Sequence, residues 1–287
     1  MERTLSLRSL VRISRPINLL MLAFAQIMVA VFLIETDLQG ASVVQDPRLY
    51  VLILATSLLA ASGYMINDYY DVKIDYINRP KEVVVGKGIK RRMILALHSL
   101  FNFTALGLAW TLSRRMALLF LAAAILLWWY SNRLKRKPFV GNLSVAFLTA
   151  LSLYVIAYWY QKNELLVLAY AIFAFFLNLI REIVKDLEDR HGDSLHGSKT
   201  LPLVIGFRNT KQVIFGIAIS FVGAILTVTW QLKDWRLYVY FAALGLVFCW
   251  LMWKIHVADR KEHFSQLSAW IKAVMLMGTL SMALVGS

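Results

Sequence analysis

The sequence predicts an all-α protein, a polytopic membrane bundle of about nine transmembrane helices. Of its 287 residues, 59% are hydrophobic, and the mean hydropathy is +0.62, whereas a soluble domain is roughly 45–50% apolar. Strips of about 20 apolar residues recur along the chain, each long enough to cross a bilayer core of about 30 Å. The period-2 alternation typical of a membrane β-barrel is absent from the sequence. A backbone in lipid must satisfy its own hydrogen bonds, so each strip should be a helix.

Nine apolar strips predict the spans in chain order. They cover residues 17–35, 49–67, 93–112, 115–130, 139–160, 164–182, 210–230, 236–255 and 266–286. No linker or low-complexity segment separates them. Residues 1–287 are therefore predicted to form a single membrane domain, with two polar cytoplasmic loops capping the active site.

The distribution of positive charge predicts the orientation in the membrane. If successive connections alternate sides, one side receives the N-terminus and the loops near 68–92, 131–138, 183–209 and 256–265. With the adjoining span ends, this side carries 24 of the 31 Lys and Arg. The positive-inside rule places it in the cytoplasm. The net charge of +14 is then explained by topology and by anionic membrane lipid, so no nucleic-acid partner is expected.

A first acidic cluster follows the second predicted span. Asn67, Asp71 and Asp75 are spaced i, i+4, i+8, which places them on one face if the helix continues. Like charges on one helix face repel each other, so a bound cation would explain the stripe. Oxygen ligands favour Mg²⁺, which usually keeps waters and bridges to substrate phosphates. Asp68 lies beside this face and is predicted to cap or to support it.

A second acidic cluster follows the sixth predicted span. Glu182, Asp186, Asp189 and Asp193 are spaced i, i+4, i+7, i+11, again on one helical face. Gly192 could interrupt the helix, because glycine is a poor helix former. A charged helix end alone is usually a solvated cap, but two such ends on the same side of a membrane indicate a site. The pair predicts a diphosphate held between them through Mg²⁺.

A metal-bound diphosphate at an apolar mouth favours one class of chemistry. Mg²⁺ makes a diphosphate a good leaving group, and an allylic carbon would then ionise to a delocalised carbocation. Such a cation needs a dry pocket with electron-rich walls, and the chain contains 9 Trp, 12 Tyr and 16 Phe. A long isoprenoid tail would fit between the spans. The expected substrate is therefore a polyprenyl diphosphate.

At these residues the chain resembles the UbiA-type superfamily of membrane prenyltransferases. Its first motif, NDxxDxxxD, matches the run from Asn67 to Asp75. Its second motif, an acidic segment followed by a Gly/Lys/Thr segment, matches Lys185 to Asp193 and then Gly197 to Pro202. Within the superfamily, the stretch after Asp75 and the second motif are most similar to digeranylgeranylglyceryl phosphate synthases.

The resemblance implies roles for individual residues. One Mg²⁺ site would use Asn67, Asp71 and Asp75, and the other Asp189 and Asp193. The four aspartates would be the catalytic residues, with the substrate contacted by Asn67, Arg79, Lys135, Glu182, Asp186 and Lys199. The implied reaction is transfer of a polyprenyl group, geranylgeranyl by this resemblance, to a lipid-soluble acceptor. The hydroxyl of a prenylglyceryl phosphate is the expected acceptor.

Other functions compete with this one. An aromatic C-prenyltransferase of quinone or pigment synthesis shares the donor and the metal, and a terpene cyclase on the same scaffold needs no acceptor. A transporter should place its charges near the bilayer midplane rather than at helix ends on one side. The chain also departs from the family after Arg79, where Glu82 adds a negative charge to a stretch that is usually neutral or basic. That departure bears on the acceptor more than on the donor.

Overall fold

A computed structural model describes residues 7–34, 41–81, 83–233 and 235–285, and over these ranges the chain is α-helical with no β-strand. A π-helical segment, Val29–Ile34, follows the helix Pro16–Met28, and a 3₁₀ turn, Leu134–Arg136, joins the helices Arg114–Asn132 and Val140–Tyr160. The helices are α1 (Leu7–Ser14), α2 (Pro16–Met28), α3 (Ala41–Gln45), α4 (Pro47–Asn78), α5 (Arg91–Leu112), α6 (Arg114–Asn132), α7 (Val140–Tyr160), α8 (Glu164–Leu195), α9 (Leu201–Val204), α10 (Phe207–Leu232), α11 (Trp235–Val257), α12 (Lys261–Leu280) and α13 (Met282–Val285).

The predicted number of spans is confirmed. Within the described residues, nine segments are long and apolar enough to cross a membrane. Most begin and end within a few residues of the predicted strips, because hydropathy decides which part of a chain enters lipid. Positions 35 and 286, which end two of the predicted spans, lie outside the described residues, as does Glu82.

Two helices are much longer than predicted. α4 and α8 each have 32 residues, or about 48 Å at a rise of 1.5 Å per residue, against a bilayer core of about 30 Å. The start of α4 is fixed by Pro47 at its first position and by Asp46, whose side chain accepts a hydrogen bond from the Arg48 N–H at 2.9 Å. The extra length lies at the other end. The segments expected as polar loops are therefore largely helical, and only residues 79–90 and 196–200 connect the two long helices to the helices that follow them.

The two long helices also form the centre of the bundle. In their most apolar stretches 61% of residues are buried, compared with 17–39% in the other spans. α4 packs mainly against α5, and α8 packs against α7, α12 and α10. Both acidic clusters are thus carried by the helices that are best held in place.

The outer helices turn large apolar side chains outward. Phe103 on α5, Ile219 on α10 and Leu246 on α11 are each about three-quarters exposed. Exposed apolar surface on this scale is favourable in contact with lipid and unfavourable in contact with water. The chain is an integral, multi-pass membrane protein.

Candidate active site

The ends of α4 and α8 meet through Asn78. Its side-chain amide donates to the Asp189 carbonyl at 3.2 Å, and its side-chain oxygen accepts from the Gly192 N–H at 3.1 Å. Gly192 does not interrupt the helix, which runs on to Leu195. A Cβ at this position would overlap the Asn78 side chain. Glycine is used here because two helices approach closely.

A polar cavity of about 100 Å³ lies between these helix ends. It is lined by nine of the ten predicted site residues: Asn67, Asp71, Asp75, Arg79, Lys135, Glu182, Asp186, Asp189 and Asp193. The tenth, Lys199, does not line it. The Lys199 side chain is exposed, and its backbone N–H donates to the Arg136 carbonyl at 2.9 Å. Its contact with a phosphate stays a prediction.

Lys135 reaches the first acidic face from the turn between α6 and α7. Its ammonium lies 2.5 Å from an Asp71 carboxylate oxygen and 3.4 Å from the Asn67 side-chain oxygen. Burial lowers the pKa of Lys135, and the nearby Asp71 carboxylate opposes that shift. The turn can pack this tightly because Gly141 has no side chain, and a Cβ there would lie 2.7 Å from the Lys135 Cα.

Arg79 is the corresponding cation beside the second acidic face. Its guanidinium lies 3.1 Å from Asp189 and 3.6 Å from Glu188. Arg79 directly follows α4 in sequence, so this ion pair ties the end of one acidic helix to the other. Each face therefore has a cation beside it that can contact a phosphate.

The carboxylates fit Mg²⁺ shared with a substrate. Within the described ranges, Asp75 and Asp193 form no ion pair, and one Asp189 carboxylate oxygen is buried with no hydrogen-bond partner. A buried acceptor without a partner indicates a missing cation or donor. No three His, Cys, Asp or Glu side chains of the described chain converge closely enough to hold an ion by themselves. This suits Mg²⁺, which is usually bound by one or two carboxylates together with waters and phosphate oxygens.

Several lining residues were not predicted. Arg15, just before α2, lines the polar cavity and pairs with Asp68 at 2.6 Å. Asn142, on α7, donates to Asp186 at 2.8 Å. A polar side chain at the start of an apolar strip was the only available sign for Asn142. Its partner is 44 residues away, so only the folded chain reveals it.

An apolar cavity of about 330 Å³ adjoins the polar one. The two share lining residues, among them Asn67, Tyr130 and Glu182. Its deeper wall is formed by apolar side chains such as Leu59, Leu148 and others from α2, α6, α8 and α12. A polar, acidic mouth that opens into an apolar chamber suits an amphiphile whose anionic head binds through a cation.

The chain resembles known membrane proteins over nearly its whole length. It is 36% identical over 217 residues to digeranylgeranylglyceryl phosphate synthase of Thermococcus gammatolerans, which covers 75% of this chain and 76% of that protein. It is 28% identical to the enzyme of that name from Methanosphaera stadtmanae, over 96% of this chain and 97% of that one.

Solved structures share the fold. One described as digeranylgeranylglyceryl phosphate synthase superposes with a TM-score of 0.73 at 22% identity, covering 100% of this chain and 99% of the other. A UbiA homologue from Archaeoglobus fulgidus, bound to DMAPP and Mg²⁺, gives 0.66 at 18% identity over 96% and 99%. Residues 19–280 match the model of the UbiA prenyltransferase family. The chain therefore belongs to the UbiA prenyltransferase family.

Proposed function

We propose that the chain is a Mg²⁺-dependent enzyme that transfers a geranylgeranyl group from its diphosphate to the hydroxyl of a prenylglyceryl phosphate. The observation that carries this proposal is the junction of the two cavities, where two acidic helix faces line the mouth of an apolar chamber. The relatives named digeranylgeranylglyceryl phosphate synthase support this acceptor. The homologue solved with DMAPP and Mg²⁺ supports the donor class and the metal.

The proposed metal ligands are the residues predicted from the two motifs: Asn67, Asp71, Asp75, Asp189 and Asp193. When bound, Mg²⁺ offsets the negative charge that grows on the departing diphosphate. Glu182 and Asp186 support the second set.

Other residues of the chain contact the diphosphate, accept the acceptor's proton and stabilise the allylic cation. Lys135 and Arg79 contact phosphate oxygens, which draws them away from the carboxylates that they now neutralise. The bond between the allylic carbon and the diphosphate oxygen breaks. The acceptor oxygen forms the new C–O bond and gives its proton to a carboxylate of the polar cavity. Tyr130, which lines both cavities, presents its ring where the positive charge develops, and the apolar walls keep water away from it.

The whole chain, residues 1–287, is proposed to work as one membrane domain with its N-terminus and site in the cytoplasm. The charge bias of the loops supports this orientation. Cysteine-accessibility labelling in intact cells would check it. A cysteine placed at exposed Lys199 should react only after the cells are permeabilised, whereas one at exposed Lys162 should react in intact cells.

A direct assay tests the reaction. Purified protein, Mg²⁺ and geranylgeranyl diphosphate are incubated with a prenylglyceryl phosphate, with an aromatic acid or with no acceptor. We expect transfer only to the first, and loss of diphosphate release in Asp71→Ala and Asp189→Ala. Asp259→Ala, an exposed acid that lines neither cavity, is the matched control and should retain activity. Transfer to the aromatic acid alone, or diphosphate release with no acceptor, would contradict the proposed acceptor.

A further inference from the structure

A lysine lies within the last membrane helix. Lys272 is in the middle of α12 (Lys261–Leu280), half-buried, and its ammonium donates to the Asn18 side-chain oxygen at 3.0 Å. It lines the apolar cavity and not the polar one. No carboxylate of the described chain forms an ion pair with it. Ionisable residues inside membrane helices are costly and mark functional sites by default.

Two more cations share this wall. Arg181 and Lys185 lie one turn apart on α8, and both line the apolar cavity. Arg181 pairs with Glu182 at 2.8 Å, and Lys185 approaches the same carboxylate at 3.6 Å. The Lys272 charge is within electrostatic range of all three, and of Arg15, whose own charge is paired with Asp68. Arg181 and Lys185 share the Glu182 carboxylate and Lys272 has no carboxylate partner in the described chain, so this wall carries an excess of positive charge.

One donor in the cluster has no acceptor. The Arg181 Nε–H is buried and has no hydrogen-bond partner in the described part of the protein. A buried donor without a partner is costly, and native proteins rarely keep one without a reason. An excess of positive charge and an unused guanidinium donor at the same wall both indicate a missing anion.

We propose that Lys272, Arg181 and Lys185 form a phosphate subsite for the lipid acceptor, beside Glu182 and on the apolar-cavity side of the acidic face that binds the donor diphosphate. A phosphate monoester carries about −1.5 to −2 charges at pH 7, which matches the excess at this wall. Arg181 and Lys272 line only the apolar cavity and Lys185 lines both, whereas the four aspartates proposed as metal ligands line only the polar one. This inference rests on the proposed function, because it assumes a phosphorylated acceptor.

The subsite is tested by the preference for the phosphate group. Wild-type protein and Lys272→Gln are placed in nanodiscs of zwitterionic lipid. The Kd is measured for a prenylglyceryl phosphate, for the same prenylglycerol without phosphate, and for a non-hydrolysable thio analogue of the donor with Mg²⁺. We expect Lys272→Gln to weaken binding of the phosphorylated acceptor by about ten- to a hundredfold, the range for a hydrogen bond to a charged group. Binding of the prenylglycerol and of the donor analogue should change little.

Two further variants separate charge from folding. Lys272→Arg keeps the charge and should retain most of the phosphate preference. Lys254→Gln removes a cation that lies over Trp250 and Trp253 on another span, away from both cavities, and should leave every affinity unchanged.

The possible failures differ from one another. An unchanged phosphate preference in Lys272→Gln, or equal weakening of donor and acceptor, overturns the subsite while the proposed reaction stands. A wild-type preference that vanishes in nanodiscs containing phosphatidylglycerol overturns it as well, because the wall would then bind bulk lipid headgroups. If the wild-type protein still releases diphosphate but transfers the prenyl group to no prenylglyceryl phosphate, the proposed acceptor itself is overturned.

Discussion

Gly192→Ala should push α4 and α8 apart at the acidic mouth. The new Cβ would overlap the Asn78 side chain, and overpacking of this kind costs about 1–3 kcal/mol. The hydrogen bond from the Gly192 N–H to Asn78 is worth about 0.5–1.5 kcal/mol more. Alanine regains about 0.5–1 kcal/mol of helix propensity. The clash outweighs this gain, so we expect a net loss of about 1–3 kcal/mol.

The measurement is the free energy of unfolding of the detergent-solubilised protein, together with the rate of diphosphate release. Asp189 and Asp193 flank the substituted residue, and displacing catalytic groups by about 1 Å can cost about a hundredfold in rate. Gly107→Ala is the matched control, because Gly107 is also helical, on α5, but has no atom within 4 Å of the added Cβ. That variant should be unchanged or slightly more stable. Equal stability of the two variants would refute the close approach at Asn78.

Three other substitutions test separate parts of the molecule. Asp189→Asn should lower diphosphate release by about 10²–10³-fold, the usual effect of losing one group that stabilises charge in a transition state, and raising the Mg²⁺ concentration should restore part of it. Arg15→Gln should destabilise the protein by about 1–2 kcal/mol, because it removes the charged hydrogen bond to Asp68. This figure is below the full value of such a bond, since a third of the Arg15 side chain is exposed and solvent screens the charges. Adding Asp68→Asn should recover some of that loss, and fully additive effects would contradict the ion pair. Ser113→Ala should cost about 0.5–2 kcal/mol, because it removes the N-cap of α6, with no effect on affinity for either substrate.

Hydropathy was enough to predict the helical bundle, because lipid leaves a spanning backbone few alternatives. It could not predict where α4 and α8 end. Their last turns are charged, and they stay helical because they pack against each other through Asn78 and Gly192. That contact joins residues more than a hundred positions apart. A sequence pattern that reports one helix at a time does not contain it.

Only some residues of the candidate site could likewise be predicted from the sequence. Helical spacing identified the carboxylates, since i, i+4 positions share a face in any helix. It did not reveal the neutral and basic partners of these acids, such as Arg15 and Asn142. Nor did it reveal the cluster around Lys272, whose neighbours Asn18, Arg181 and Lys185 lie on other helices. These residues matter because of what lies opposite them across the bundle.

The length of the two central helices has a consequence for how substrates are supplied. The acids lie beyond the apolar stretch of α4 and α8, whereas the adjoining chamber opens among the membrane spans. An amphiphile can therefore react at its head while its tail never leaves the bilayer. Supply then depends on two-dimensional diffusion, and the relevant substrate concentration is its mole fraction among lipids. Adding inert lipid at a constant total amount of substrate should therefore slow the reaction. This surface dilution is expected for any membrane enzyme whose substrate is dissolved in the same bilayer.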